Sequence, residues 1–321
     1  MKISDFNLID NLLCTYGEDI LAILLKDRTT KKNIVWATDE YEELGPSYAP
    51  EREIKVSDIT GFRSGVIKPR IVKATAKQQE RTQKRAEVFT PTWIVNKMVN
   101  LQDEAWFGYS NVFNTEGEHI WVTRQEPIKL PSVKGKTPAW QKYVDMRKLE
   151  ITCGEAPFIT SRYDATTGEM IPLKSRIGML DRKLRIVTEN AKSEKEWIAW
   201  AFRAMESTYG YEFSGDNLLI ARINVFFAFE EQLRAMWDRS LTEDEARKAA
   251  RIVSWNIWQM DGMTGTIPFG KSPEPRDEWH QMTIYDWFGM EEPEKSTSKD
   301  ILCRIYDWRT KEPVTYASLK Q

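Results

Sequence analysis

The sequence predicts an α/β protein, and three observations carry that prediction. A short strand, Leu149–Thr152, runs into the glycine turn Cys153-Gly154-Glu155-Ala156-Pro157; a second strand, Tyr209-Gly210-Tyr211-Glu212, ends in an acid; and a long apolar helix, Asn217–Trp237, follows. Strands that alternate with helices build a parallel sheet. With 321 residues, 41% of them hydrophobic, the chain can bury a sizeable core in one large or two ordinary domains, and disorder is excluded for most of it.

The remaining elements follow in order. The first forty residues alternate apolar stretches, Ile20–Leu25 and Asn33–Ala37, with polar ones and read as a small α+β region reaching to residue 62. From Arg63 to Arg85 eight basic residues stand against Glu80 alone, and the stretch after Pro69 is good helix-forming sequence without an apolar face. It reads either as a solvated arm or as a phosphate-contacting one, with Lys73, Lys77, Arg81, Lys84 and Arg85 as the candidate contacts. Pro91 opens a helix carrying Trp93, Ile94, Met98 and Val99. Residues 111–141, with Pro127, Pro131 and Pro138, are expected to be loop-rich. Arg176–Val187 reads as an amphipathic helix whose Arg182, Lys183 and Arg185 face either solvent or a nucleic-acid backbone. Glu194–Met205 is a helix with Trp197 and Trp200 toward the core, and Thr242-Glu243-Asp244-Glu245 has capping-box spacing. Ile252–Ile257 and Cys303–Trp308 read as strands, Asp261-Gly262 as a turn, and 269–300, with eight acids against four bases, as a surface excursion.

Composition narrows the chemistry. A formal net charge of −2 gives no global field, so any polyanionic partner must be met by local charge. No apolar run approaches the roughly 20 residues of a membrane span, Met1–Asp10 has no signal-peptide pattern, and three scattered cysteines give no disulfide framework, which together predict a cytoplasmic protein without a membrane partner. Two histidines, His119 and His280, leave histidine-rich metal sites and most Ser/His/Asp schemes without their parts. The strand–glycine turn–helix–strand–acid order is the arrangement in which backbone amides approach an adenosine-bearing ligand while the acid accepts from ribose hydroxyls. Here it competes with a plain turn beside a core strand.

The ordered set Glu87-Val88-Phe89-Thr90-Pro91, Leu149-Glu150-Ile151-Thr152-Cys153-Gly154-Glu155-Ala156-Pro157-Phe158 and Tyr209-Gly210-Tyr211-Glu212 resembles the N6-adenine DNA methyltransferases of restriction–modification systems. The stretch from Lys84 to Gly262 is similar to a bacterial and phage group of methylation subunits of restriction systems. The resemblance implies a Rossmann-like methyltransferase core over 86–321, possibly with an incomplete sheet, interrupted by insertions at 111–141, 159–205 and 269–300. It implies S-adenosyl-L-methionine as cofactor, held by Phe89, Thr90, Pro91, Glu150, Cys153, Gly154 and Glu212, with Asp261 contacting adenine. It implies DNA and a specificity or restriction subunit as partners. Two departures accompany it. Ala156 and Pro157 stand where a second glycine is usual, and the catalytic Asn/Asp-Pro-Pro-aromatic element, which accepts both N6 protons of a flipped adenine and stacks on it, is absent. By motif order Asp307 and Trp308 take that catalytic slot; Asn256-Ile257-Trp258-Gln259 is the other substitute. With only twelve residues between Trp308 and Gln321, a chain that keeps this fold for binding or assembly without catalysis is the alternative.

Overall fold

The computed structural model describes residues 2–5, 7–73, 90–270 and 300–319. Helix α1, Leu8–Leu25, begins where the Asn7 side chain accepts the amides of Ile9 and Asp10, and it kinks at Gly17, whose φ of 77° lies outside helical space. A single-turn helix α2, Val56–Ile59, follows. Helix α3, Thr92–Phe107, starts at Pro91 as predicted and ends at Gly108 in the left-handed conformation. The stretch expected to be irregular instead holds an antiparallel hairpin, β1 (Asn114–Glu116) with β2 (Trp121–Thr123), and the start of α4 (Ala139–Val144). Strands of three residues are too short to display an alternating pattern, which is why the sequence hides them.

The centre is a parallel sheet of three neighbouring strands, β3 (Lys148–Glu150), β4 (Thr208–Glu212) and β5 (Ile257–Gln259), with Leu149 opposite Tyr209 and Tyr211 opposite Trp258. Between β3 and β4 lie α5 (Met179–Asn190) and α6 (Glu194–Glu206); between β4 and β5 lie α7 (Gly215–Trp237) and α8 (Glu243–Asn256). The protein is therefore mixed α/β with a parallel sheet, as expected. The predicted strand at Ile252–Ile257 is a correction: residues up to Asn256 belong to α8, and the strand starts at Ile257. The Thr242/Glu245 capping box nucleates that helix, and Ala246, Ala249, Ala250 and Val253 bury one continuous stripe, so helical spacing overrides the β-branched pair Ile252-Val253.

Residues before 63 share the core of the rest. Leu12, Leu21 and Ile54 lie in one apolar cluster with Leu184, Trp197, Phe226 and Val253, and α1 packs on α7 and α8. Trp197 is fully buried and Trp200 packs edge-on against Trp140, as read from the sequence. The other sheet face, Tyr209, Tyr211 and Trp258, is covered by Cys303, Ile305 and Tyr316 from the hairpin β6 (Arg304–Asp307) and β7 (Glu312–Thr315). No helix among the described residues is long and apolar enough to cross a membrane.

Candidate functional site

The carboxyl ends of β3 and β4 open into a cleft of about 1020 Å³. Ligands of open parallel sheets bind at this end, because the turns there present backbone amides rather than side-chain bulk. After Glu150 the chain takes left-handed φ at alternate residues, Thr152 (47°), Gly154 (53°) and Ala156 (66°), and doubles back toward Pro157. The Cys153 amide donates to the Tyr211 carbonyl at 2.8 Å, and the Gly154 amide donates to Glu212 Oε2 at 2.8 Å, so the turn is sewn to the end of β4. Glu212 Oε1 also accepts the Ser214 amide at 3.1 Å. A Cβ added to Gly154 would meet nothing within 4 Å, which leaves open space beside this stretch of backbone.

Ala156 stands where the resembling family has a second glycine, and it keeps the glycine-like conformation at a strain of about 1–2 kcal/mol. Its amide closes the turn onto the Cys153 carbonyl at 2.7 Å. The substitution has therefore left the shape of the turn intact.

Behind the turn Glu150 is buried and accepts the amides of Phe158 at 3.3 Å and Ile159 at 3.1 Å. Burial pushes its carboxyl well above the usual glutamate range; the two amides oppose that shift and neighbouring Glu212 adds to it. Burial likewise pushes the Cys153 thiol up, reinforced by Glu150 and Glu212, so this cysteine is an inert packing group rather than a nucleophile. One wall of the cleft is polar: Tyr163 donates to Glu155, Asn224 donates to the Glu155 carbonyl at 3.1 Å, and Arg162 joins Asn224 Oδ1 at 3.0 Å to Glu231 at 2.6 Å. Other walls come from Thr90 and Met98, from Ala37, Thr38 and Asp39, and from Phe213 and Phe269.

Thr90, Glu150, Cys153, Gly154 and Glu212 thus come together in one cleft, and Pro91 sits next to Thr90 at the head of α3. Phe89 lies outside the described residues, as do Lys77, Arg81, Lys84 and Arg85. Asp261 is not among the cleft residues. Its Oδ1 accepts the amides of Met263 at 2.9 Å and Thr264 at 3.4 Å and so caps its own turn. Asp307 and Trp308 are also a correction. Asp307 Oδ1 pairs with Arg147 at 2.8 Å, the Trp308 indole donates to Asn256 Oδ1 at 2.7 Å, and neither lines the cleft. Against the desolvation of partial burial, the Arg309 amide and the Arg147 guanidinium hold the Asp307 carboxyl below its usual range, as an ionised structural partner. The two sequence candidates for the catalytic slot, Asn256 and Trp308, are bonded to each other as part of the packing of β6–β7.

The basic candidates that the structure describes turn inward. Lys73 Nζ lies 2.6 Å from Asp216 and 2.9 Å from Glu40, with its side chain 6% exposed. Arg182 pairs with Asp103 at 2.6 Å, both side chains 1% exposed, and donates to Asn96 Oδ1 at 2.9 Å. Lys183 Nζ donates to the carbonyls of Met146 and Ser207 and to the hydroxyls of Ser207 and Thr208. Arg185 joins Glu189 to the carbonyls of Phe113, Arg124 and Glu126. Helix α5 is enclosed by α4, α6 and α7, so its charged residues meet fixed acceptors instead of a phosphate backbone. Among the described residues no group of three His, Cys, Asp or Glu side chains is placed to hold a metal ion.

Sequence reasoning missed the wall at Ala37–Asp39, the Arg162–Asn224 wall and the aromatic pair Phe213–Phe269. Phe213 adjoins Glu212 and was within reach of the argument; the others rest on contacts between distant segments. Against known proteins, the chain matches no family model, no curated protein and no solved structure.

Proposed function

We propose that the cleft binds S-adenosyl-L-methionine and that the chain is a DNA methyltransferase of the N6-adenine type, or the methylation subunit of a restriction–modification system, built on an incomplete Rossmann-like sheet. The observation that carries this reading is the Glu212 carboxylate at the end of β4, held against the Gly154 amide at the mouth of a cleft at the strand carboxyl ends. A carboxylate there accepts from vicinal ribose hydroxyls, the positive-φ turn lets backbone approach a ligand closely, and the cleft lies at the upper end of the size range of small-molecule sites. The chemistry such a cofactor supplies is a methyl group activated on a sulfonium. Within the cleft, Glu212, Gly154 and Thr90 would orient it.

A second reading is favoured by one specific observation: Asp307 and Trp308 are spent on packing. The chain would then bind cofactor or assemble with a partner without transferring a methyl group. Wild-type protein incubated with tritiated S-adenosyl-L-methionine and unmethylated duplex DNA is expected to label the DNA, and Glu212→Ala to label it at least about tenfold less, as fits loss of hydrogen bonds to a charged group. Cofactor binding with no label in either protein decides for the second reading.

A further inference from the structure

The turn Ile267-Pro268-Phe269-Gly270 closes through the Gly270 amide on the Ile267 carbonyl at 2.9 Å, with proline in its second position and positive φ, 59°, in its third. That is the pattern of a type II turn, whose third position calls for glycine or asparagine. A bulky aromatic residue with positive φ is an outlier. Burial against the protein does not explain it, because Phe269 is 54% exposed. Its ring instead meets the edge of Phe213, with centroids 6.4 Å apart and planes at 66°, and both rings line the cleft. Phe213 directly follows Glu212, so the pair stands at the end of the cleft where the ribose-accepting carboxylate lies. Asp261, the expected contact for adenine, is occupied in its own turn.

We infer that Phe213 and Phe269 form the base-binding subsite, stacking on the purine ring of a nucleoside whose ribose is held by Glu212. This rests on the cofactor reading above and assigns the adenine contact to aromatic faces instead of a carboxylate. Recognition by stacking tolerates changes at the edges of the ring, because it reads the flat face of the base. An unfavourable backbone conformation kept by an exposed residue is the kind of local strain that clusters at ligand sites.

The test is titration calorimetry on the full chain with S-adenosyl-L-methionine and, separately, with adenosine, for wild type, Phe269→Gly and Phe269→Tyr. Glycine suits the turn, so the Phe269→Gly thermal midpoint should be unchanged or higher; its affinity for both ligands should fall about ten- to hundredfold, as expected for loss of one base–aromatic stack. Phe269→Tyr keeps a ring and should bind as wild type does. Cofactor binding by wild type with equal affinity in Phe269→Gly overturns the stacking site and leaves the cofactor reading standing. Binding of adenosine alone, lost in Phe269→Gly, supports the stacking site and overturns the cofactor reading. Binding of neither ligand by wild type overturns both.

Discussion

Replacing Arg182 with leucine is expected to lower the free energy of unfolding by about 3–5 kcal/mol, measured as a fall in the urea midpoint. The reason lies in what the guanidinium leaves behind. Arg182 and Asp103 are both 1% exposed, and Asp103 also accepts from Tyr143 at 2.8 Å. Arg182 further donates to Asn96, which exchanges hydrogen bonds with Asn114 across to the β1–β2 hairpin. Removing the arginine strands a carboxylate in the core and unties α3 from α5. Replacing Asp103 by leucine as well should recover much of the loss, because a buried ion pair is stabilising chiefly against the loss of one partner. A variant that unfolds like wild type, and whose DNA affinity depends less steeply on salt, would restore the phosphate-contact reading of this residue.

Gly215→Ala is expected to destabilise by about 3 kcal/mol or more, at the upper end of what overpacking produces. A Cβ at Gly215 would lie 2.0 Å from the Val35 carbonyl oxygen and 2.9 Å from Ile54 Cδ1, and the first of these neighbours is backbone that cannot rotate away. The Gly215 amide itself donates to the Trp36 carbonyl at 3.1 Å. The same junction is tied by Lys73, which bridges Glu40, Tyr41 and Asp216. Forcing α7 from this segment moves Ala37, Thr38 and Asp39, which wall the cleft. Chemical denaturation should therefore report the lost stability, and limited proteolysis should show earlier cleavage before residue 63. Equal midpoints for the variant and wild type would contradict the close approach.

The parts legible in the sequence are those that depend on neighbours along the chain. Proline at the head of α3, the capping box of α8, the apolar length of α7 and the glycine turn followed by a strand ending in Glu212 all announce themselves within a few residues. Charge is legible only as charge. Nothing local reveals that Arg182 meets Asp103, or that Lys73 meets Asp216, because those partners come from distant elements. For the same reason Asp307 and Trp308 fit a motif order on paper and yet sit in the hairpin that covers Tyr209 and Trp258. Ala156 illustrates the reverse case. Its sequence departs from the expected glycine, while its backbone adopts the conformation that glycine would have taken. The N-terminal wall of the cleft had no sequence signal, since Tyr41 and Asp216, hydrogen-bonded at 2.7 Å, are 175 residues apart.

The central claim is that the cleft beside Gly154 and Glu212 holds an adenosine-bearing cofactor, and titration calorimetry of S-adenosyl-L-methionine into wild type and Glu212→Ala tests it most directly. Saturable binding to one site in wild type, weakened about tenfold or more in Glu212→Ala while the thermal midpoints stay close, is the predicted result. Absence of binding to wild type at millimolar cofactor, or equal affinity in the two proteins, would contradict it.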